Sequence, residues 1–364
     1  MIPEVSEAAP LLQRNIAAIP PASFTSAYYG SDDRRRGDGR LPQCIAHRGY
    51  KAEYPENTMG AFRGAVAVGA HAIETDLHLS RDGVVVISHD ATLKRCFGEK
   101  TLIKDCDWSY LSTLRTLRAP HESMPRLVDL LEYLAQPGLE DIWVLLDIKR
   151  DDDKDELIAK IAEAIASVPA LRPWNQRIIL GCWTASYVKT CLQHLPGFPL
   201  THIGWSLCYA RQFLRVPNVS FNMLQKILVG PRGARFLADA RAAGRPVYAW
   251  TVDEPEWMEW SIRTGVDGVV TDDPKLFLEV CDRWKGGSPP ALLGGAKKTA
   301  GAQEQLVQAA QEKKRALRKA TGLRRWARLY TEVLVIQVLL AMVTAIFFMK
   351  VGSPAKQMRR ELQI

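Results

Sequence analysis

The chain has 364 residues, 47% of them hydrophobic and 24% charged, and carries a formal net charge of +8. That balance is ordinary for a globular protein and allows a sizeable core, and the length suits one (β/α)8 barrel of about 250 residues with extensions rather than two large domains. The whole charge excess is matched by residues 313–328 (KKRALRKATGLRRWAR), with eight Lys/Arg and no acid. This segment directly precedes an apolar run, so an anionic membrane surface fits it better than nucleic acid, and no nucleic-acid partner is expected. Seven cysteines, with no CxxC and no secretory signal opening the chain, read as reduced thiols in a cytosolic compartment.

Residues 1–41 lack apolar periodicity and include SDDRRRGDGR, which reads as a flexible leader. From residue 42 to 285, short apolar runs alternate with helical patterns. The runs are CIAH, AIETDLHL, IWVLLDIK, RIILGCW, LTHIGWS, NVSFNM, PVYAWTV and DGVVTD. Eight strand candidates mostly separated by helices are the pattern of parallel βαβ units, and they predict a TIM (β/α)8 barrel. ENTMGAFRGAVAVGA has helical spacing, with Asn57 or Thr58 as its cap. Residues 80–125 break the rhythm. A turn at Asp82-Gly83 and a β-rich run open an insertion after the second strand, on the C-terminal face where such barrels build active sites.

Residues 286–328 read as a Gly/Pro-rich linker passing into the basic segment, followed by an apolar segment over 329–350 and a short tail over 351–364. From Val333 to Met349 only Gln337 and Thr344 are polar. A bilayer core needs roughly 20 apolar residues, so the segment either spans a membrane or lies embedded in it. Eight Lys/Arg precede it, and Lys350, Lys356, Arg359 and Arg360 follow. The positive-inside rule then keeps the barrel on the cytosolic side. The sequence does not choose among endoplasmic reticulum, mitochondrial outer membrane and lipid droplet.

The chemistry-bearing residues fall at strand ends. His47 and Arg48 close the first strand. On the second, Glu74 and Asp76 share a face, because strand side chains alternate. Two carboxylates aimed into one mouth repel, so without a cation one would protonate. Hard oxygens suit Mg²⁺ or Ca²⁺, although a salt bridge to Lys149 or Arg48 would also answer the charge. The third strand adds Asp147 and Lys149, again on one face, as a further carboxylate and a point charge for phosphate. His89, in the insertion, supplies a second imidazole, and an acid/base pair of histidines is what phosphodiester cleavage needs.

Taken together, His47-Arg48-Gly49, Pro55-Glu56-Asn57-Thr58, Glu74-x-Asp76, Asp82-Gly83, His89-Asp90, Asp147-x-Lys149, Trp250-Thr251-Val252 and Thr271-Asp272-x-Pro274 resemble the glycerophosphodiester phosphodiesterase family over roughly residues 42–285. The Leu-Asp-Ile-Lys form is similar to its fungal phosphatidylglycerol phospholipase C branch. The resemblance implies a metal-dependent TIM-barrel phosphodiesterase. In it His47 and His89 are the acid/base pair, in either order, and Glu74, Asp76 and Asp147 bind the metal. Arg48 and Lys149 hold the phosphate, and Trp250 lines the substrate cleft. Many members carry glutamate, one methylene longer, at the Asp147 position. His78 and the tryptophans at 143, 183, 205, 257 and 260 are expected to be structural. The expected substrate is a membrane glycerophospholipid such as phosphatidylglycerol, cleaved to diacylglycerol and glycerol phosphate. The alternatives are a deacylated headgroup such as glycerophosphocholine, or an inactive lipid-binding barrel.

Overall fold

The computed structural model describes residues 11–29, 40–285 and 302–362, with side chains from Arg325 onward in the last stretch. Eight parallel strands close on themselves: β1 (Gln43–His47), β2 (Ala72–Leu79), β4 (Trp143–Ile148), β5 (Ile178–Cys182), β6 (Leu200–Gly204), β7 (Ser220–Leu224), β8 (Val247–Trp250) and β9 (Gly268–Thr271). Each pairs with its neighbour, and β1 pairs with both β9 and β2, which completes a TIM barrel. All eight expected runs are barrel strands. The extra strand β3 (Val85–Ile87) runs antiparallel to the outer half of β2 after the Asp82-Gly83 turn. The rest of the insertion folds over a small core of its own that includes Val86, Leu93, Ile103 and Leu111.

Period-two alternation sorts the strand residues into two cores. Outward side chains such as Cys44, Ile73, Val144 and Leu146 pack against the helical layer. Inward ones fill the barrel in tiers. Trp143 Nε1 donates to Gln43 Oε1 at 2.6 Å at the bottom, and Ile45, Leu145, Ile179 and Ile203 fill the middle. One step further along the same inward rows stand His47, Glu74, Asp76 and Asp147. Strand register therefore puts them at the C-terminal mouth.

Residues 11–29 depart from the expected flexible leader. Helix α1 (Leu11–Ala17) and the turn after it close the barrel's N-terminal end, with Ile16, Ile19, Ala22 and Thr25 buried. Phe24 packs edge-on to Trp143, and Gln43 Nε2 donates to the Phe24 and Ser26 carbonyls, each at 2.8 Å. The isolated apolar residues of this stretch fill separate gaps instead of one helix face, so no period announces them. Residues 1–10 and 30–39 of the expected leader and 286–301 of the expected linker and basic segment lie outside the described residues, and the rest of that segment, from Ala302, is helical.

The apolar segment belongs to one long helix, α10 (Ala302–Val351), followed by α11 (Pro354–Leu362). Its stretch Arg325–Lys350 is long and apolar enough to cross a membrane, and 6% of its most apolar window is buried. Helix α10 rests on the barrel's rim. Arg325 pairs with Glu256 at 2.8 Å, Trp326 and Tyr330 pack edge-on to Trp257, and Leu329 and Val333 are buried. Gln337, polar within the apolar run, donates to the Lys226 and Val229 carbonyls at 2.7 and 3.0 Å. Beyond it, α11 returns to the barrel, burying Met358 and Leu362, and Glu361 accepts from the Ser186 amide at 2.7 Å. Leu334, Val338, Leu339, Met342 and Ile346 remain exposed along the other side of α10.

Candidate active site

The turn after β1 sets the site's geometry. Arg48 has φ 59° and Gly49 φ 80°. Arg48 therefore sits in the left-handed region, which costs a non-glycine residue roughly 1–3 kcal/mol. At Gly49 a Cβ would meet the Ala61 backbone at 2.7 Å, so only glycine lets helix α2 (Met59–Ala67) approach. Thr58, rather than Asn57, caps α2 by accepting from the Ala61 amide. Asn57 turns instead to the site, and its Nδ2 donates to Asp76 Oδ2 at 2.8 Å.

Register brings the expected residues together: His47 lies beside Glu74, and Asp76 beside Asp147. One oxygen from each of Glu74, Asp76 and Asp147 falls within 4.8 Å of the other two, and all three residues are buried. The shorter Asp147 thus still reaches the cluster. Both answers to the charge problem are present in part. Lys149 Nζ lies 2.6 Å from Asp76 Oδ1 and 2.6 Å from Asp147 Oδ2, and Arg48 Nε lies 3.3 Å from Asp76 Oδ2. Burial would raise Asp76, but Lys149 and Arg48 outweigh it and hold its carboxyl well below the usual range. Burial would likewise lower Lys149, and Asp76 and Asp147 reverse that and raise it. Glu74 is left out. Burial first, then Asp76 and Asp147, push it well above the ordinary carboxylate range. Two basic side chains do not neutralise three buried carboxylates, so the hard-oxygen donor set fits a divalent cation.

The two histidines are held differently. His47 Nδ1 is 2.5 Å from Asp272 Oδ1, and Arg48 Nε donates to His47 Nε2 at 3.2 Å. That pair of contacts assigns the proton to Nδ1 and leaves Nε2 as the acceptor, 4.0 Å from Glu74 Oε2. Lys51 Nζ holds the other Asp272 oxygen at 2.7 Å. Burial opposes ionisation of Asp272, but the His47 and Lys51 contacts prevail and lower it. His89 Nδ1 is 2.8 Å from Asp90 Oδ1. Burial pushes the His89 imidazole down, with Asp76 pulling the other way. Arg95 bonds Asp90 at 2.7 Å and Glu56 at 2.7 Å, and Glu56 bonds Arg48 at 2.8 Å. One ionic chain therefore runs from Arg48 to His89 across the mouth, and chiefly through Arg95 it lowers Asp90 to about 2.

His78 is structural, as expected. Its Nδ1 is 2.7 Å from Asp152 Oδ2, and its Nε2 meets the His89 carbonyl at 3.3 Å, which pins the loop carrying His89. Two of the tryptophans expected to be structural stand at the mouth instead. Trp183 Nε1 donates to Asp147 Oδ1 at 2.7 Å, and its ring packs between Trp205, at 5.5 Å, and Trp250, at 6.1 Å. Trp250 donates to the Asn222 carbonyl at 3.0 Å and completes this aromatic wall.

Residues 47–276 match the model of the glycerophosphoryl diester phosphodiesterase family. A glycerophosphodiester phosphodiesterase from Bacillus altitudinis is 37% identical over 67% of this chain and all of its own length. A rat lysophospholipase D is 26% identical, over 68% of this chain and 88% of the relative. An Oleispira antarctica phosphodiesterase, solved with the product sn-glycerol-3-phosphate, shares the fold with a TM-score of 0.58. It is 23% identical, over 66% of this chain and 97% of that one. The chain belongs to the glycerophosphoryl diester phosphodiesterase family, and it is a phosphoric diester hydrolase.

Proposed function

We propose that the protein is a membrane-associated phospholipase C that cleaves phosphatidylglycerol to diacylglycerol and glycerol phosphate with the help of Mg²⁺ or Ca²⁺. One observation carries this reading: an apolar helix is docked on the same rim that holds His47, His89, Arg48, Lys149 and the three carboxylates. A catalytic unit over residues 42–285 is thereby tied to a lipid surface through residues 329–350. The return of α11 to the barrel supports a segment embedded in one leaflet rather than one that crosses the bilayer. The barrel faces the cytosol, the side on which the Lys/Arg flanking the segment at both ends would meet an anionic leaflet.

Glu74, Asp76 and Asp147 would hold the cation, which when bound would supply positive charge to a phosphate oxygen. His47 Nε2, with Nδ1–H fixed by Asp272, removes the proton from the headgroup hydroxyl vicinal to the phosphoester. That oxygen attacks phosphorus, the bond to diacylglycerol breaks, and His89 protonates the departing oxygen. A cyclic glycerophosphate remains, and water opens it to glycerol phosphate. Arg48 and Lys149 hold the phosphate oxygens, and Trp250, with Trp183, flanks the glycerol. The internal nucleophile follows from the motif set, which contains no serine, threonine or cysteine placed to attack. Phosphatidylglycerol should therefore turn over, while an analogue lacking that vicinal hydroxyl should not. Equal rates on both would overturn the internal attack.

Similarity to the rat lysophospholipase D favours a second reading, in which the same site releases a small alcohol from a lysophospholipid or a deacylated headgroup. It differs in which ester bond breaks, so the identity of the products separates the two.

A further inference from the structure

Between α10 and the barrel rim runs an apolar groove. Its outer part, about 740 Å³, is walled by Ile227 and Val229 of the rim and by Leu340, Ala341 and Phe348 of the helix. Its inner part, about 150 Å³, shares Trp205, Ser206, Thr344 and Phe348 with the outer part and is lined also by Trp183. Trp183 in turn donates to Asp147 Oδ1 at 2.7 Å, so the groove reaches the carboxylate cluster through one side chain. The outer volume lies within the range of ordinary ligand pockets, roughly 300–1,000 Å³. No carboxylate lines either part among the described residues. The charged lining residues are Arg150 in the inner part and Arg232 in the outer. Apolar walls with a basic residue in each part complement an amphiphile with an anionic head. Val343 and Phe347 line the inner part and are also 52% and 44% exposed, so that wall is open to whatever lies along α10.

We propose that this groove holds an acyl chain of the lipid whose phosphodiester lies at Glu74, Asp76 and Asp147, so that the apolar helix is one wall of the substrate site as well as an anchor. The assignment rests on the function proposed above, in which the substrate is an intact glycerophospholipid. It makes Trp205, Ala341 and Phe348 specificity-determining residues.

The test uses the full chain and phosphatidylglycerols of increasing acyl length, each below its critical micelle concentration, with glycerophosphoglycerol as the chainless comparison. Each methylene buried should raise kcat/KM about fourfold, mostly through KM, until the groove is filled. Ala341→Trp, which puts an indole into the outer part, should flatten that dependence and lower the acylated-to-chainless ratio at least tenfold. A second readout needs no turnover. Cys208 lines the groove and is exposed, whereas Cys96 is partly exposed and the other cysteines are buried. Phosphatidylglycerol should slow maleimide labelling of Cys208, and glycerophosphoglycerol should not. Turnover that ignores chain length, with Cys208 labelled at one rate throughout, would overturn the groove and leave the hydrolytic reading standing. Protection of Cys208 without any turnover would keep the groove and overturn that reading.

Discussion

Replacing Glu74 with glutamine separates the charge of the carboxylate cluster from its shape. Two unit charges within the 4.8 Å of this cluster repel by at least roughly 3.5 kcal/mol at an effective dielectric of about 20. Glu74 faces two such neighbours, and Lys149 and Arg48 pair with Asp76 and Asp147 rather than with it. In Glu74→Gln the new amide oxygen can still accept from the Arg48 main-chain N–H that Glu74 Oε2 holds at 3.1 Å. The metal-free variant should therefore be more stable than the parent by about 1–3 kcal/mol at neutral pH, a rise in Tm of several degrees. The sign follows from the raised folded pKa of Glu74. Its contribution is fully present below the unfolded value of about 4.3 and is lost as pH rises through the folded one. In chelator, the parent should lose stability relative to Glu74→Gln as pH rises from about 4 upward. Cation at about one hundred times its Kd should return about 2.7 kcal/mol to the parent and little to the variant. Thermal melts across pH, with chelator and then with Mg²⁺ or Ca²⁺, read all of this. A variant that keeps the full cation-induced shift would refute the assignment of Glu74 as a ligand.

Two further outcomes follow from the site's scaffolding. Asp272→Asn should lower kcat by about 10²–10⁴, approaching the loss in His47→Ala, with a smaller change in KM, because Lys51 would hold the one amide oxygen and leave the NH2 facing His47 Nδ1, which favours the wrong tautomer; a change confined to KM would deny Asp272 that positioning role. Gly49→Ala should cost at least about 1–3 kcal/mol by chemical denaturation, because the new Cβ meets Ala61 at 2.7 Å and φ is +80°; unchanged stability would show that α2 yields freely.

The barrel was legible because its strands announce themselves twice, as short apolar runs and by their spacing between helical patterns. The site was legible for the same reason: alternation alone puts Glu74 with Asp76 and Asp147 with Lys149, and parallel register adds His47. Other features carried no such mark. Asp272 stands inside a recognisable motif, but its hold on His47 crosses from one end of the barrel sequence to the other. Arg95 lies in the aperiodic insertion, where nothing in the local pattern separates a bridging arginine from a solvated one. Trp183 and Trp205 end or follow strands as ordinary apolar residues do, and only closure of the barrel turns them toward the mouth. Gln337 read as an interruption of an apolar run, and in three dimensions it hydrogen-bonds two rim carbonyls and helps seat the helix there.

The most direct test of the central claim is a product assay on purified full-length protein. Phosphatidylglycerol in mixed micelles and glycerophosphocholine would be offered separately, first with Mg²⁺ or Ca²⁺ and then with chelator. Diacylglycerol released from phosphatidylglycerol, only in the presence of cation and lost in His47→Ala, is the predicted result. Glycerol phosphate formed from glycerophosphocholine, with phosphatidylglycerol left intact, would contradict it and make the protein a headgroup hydrolase.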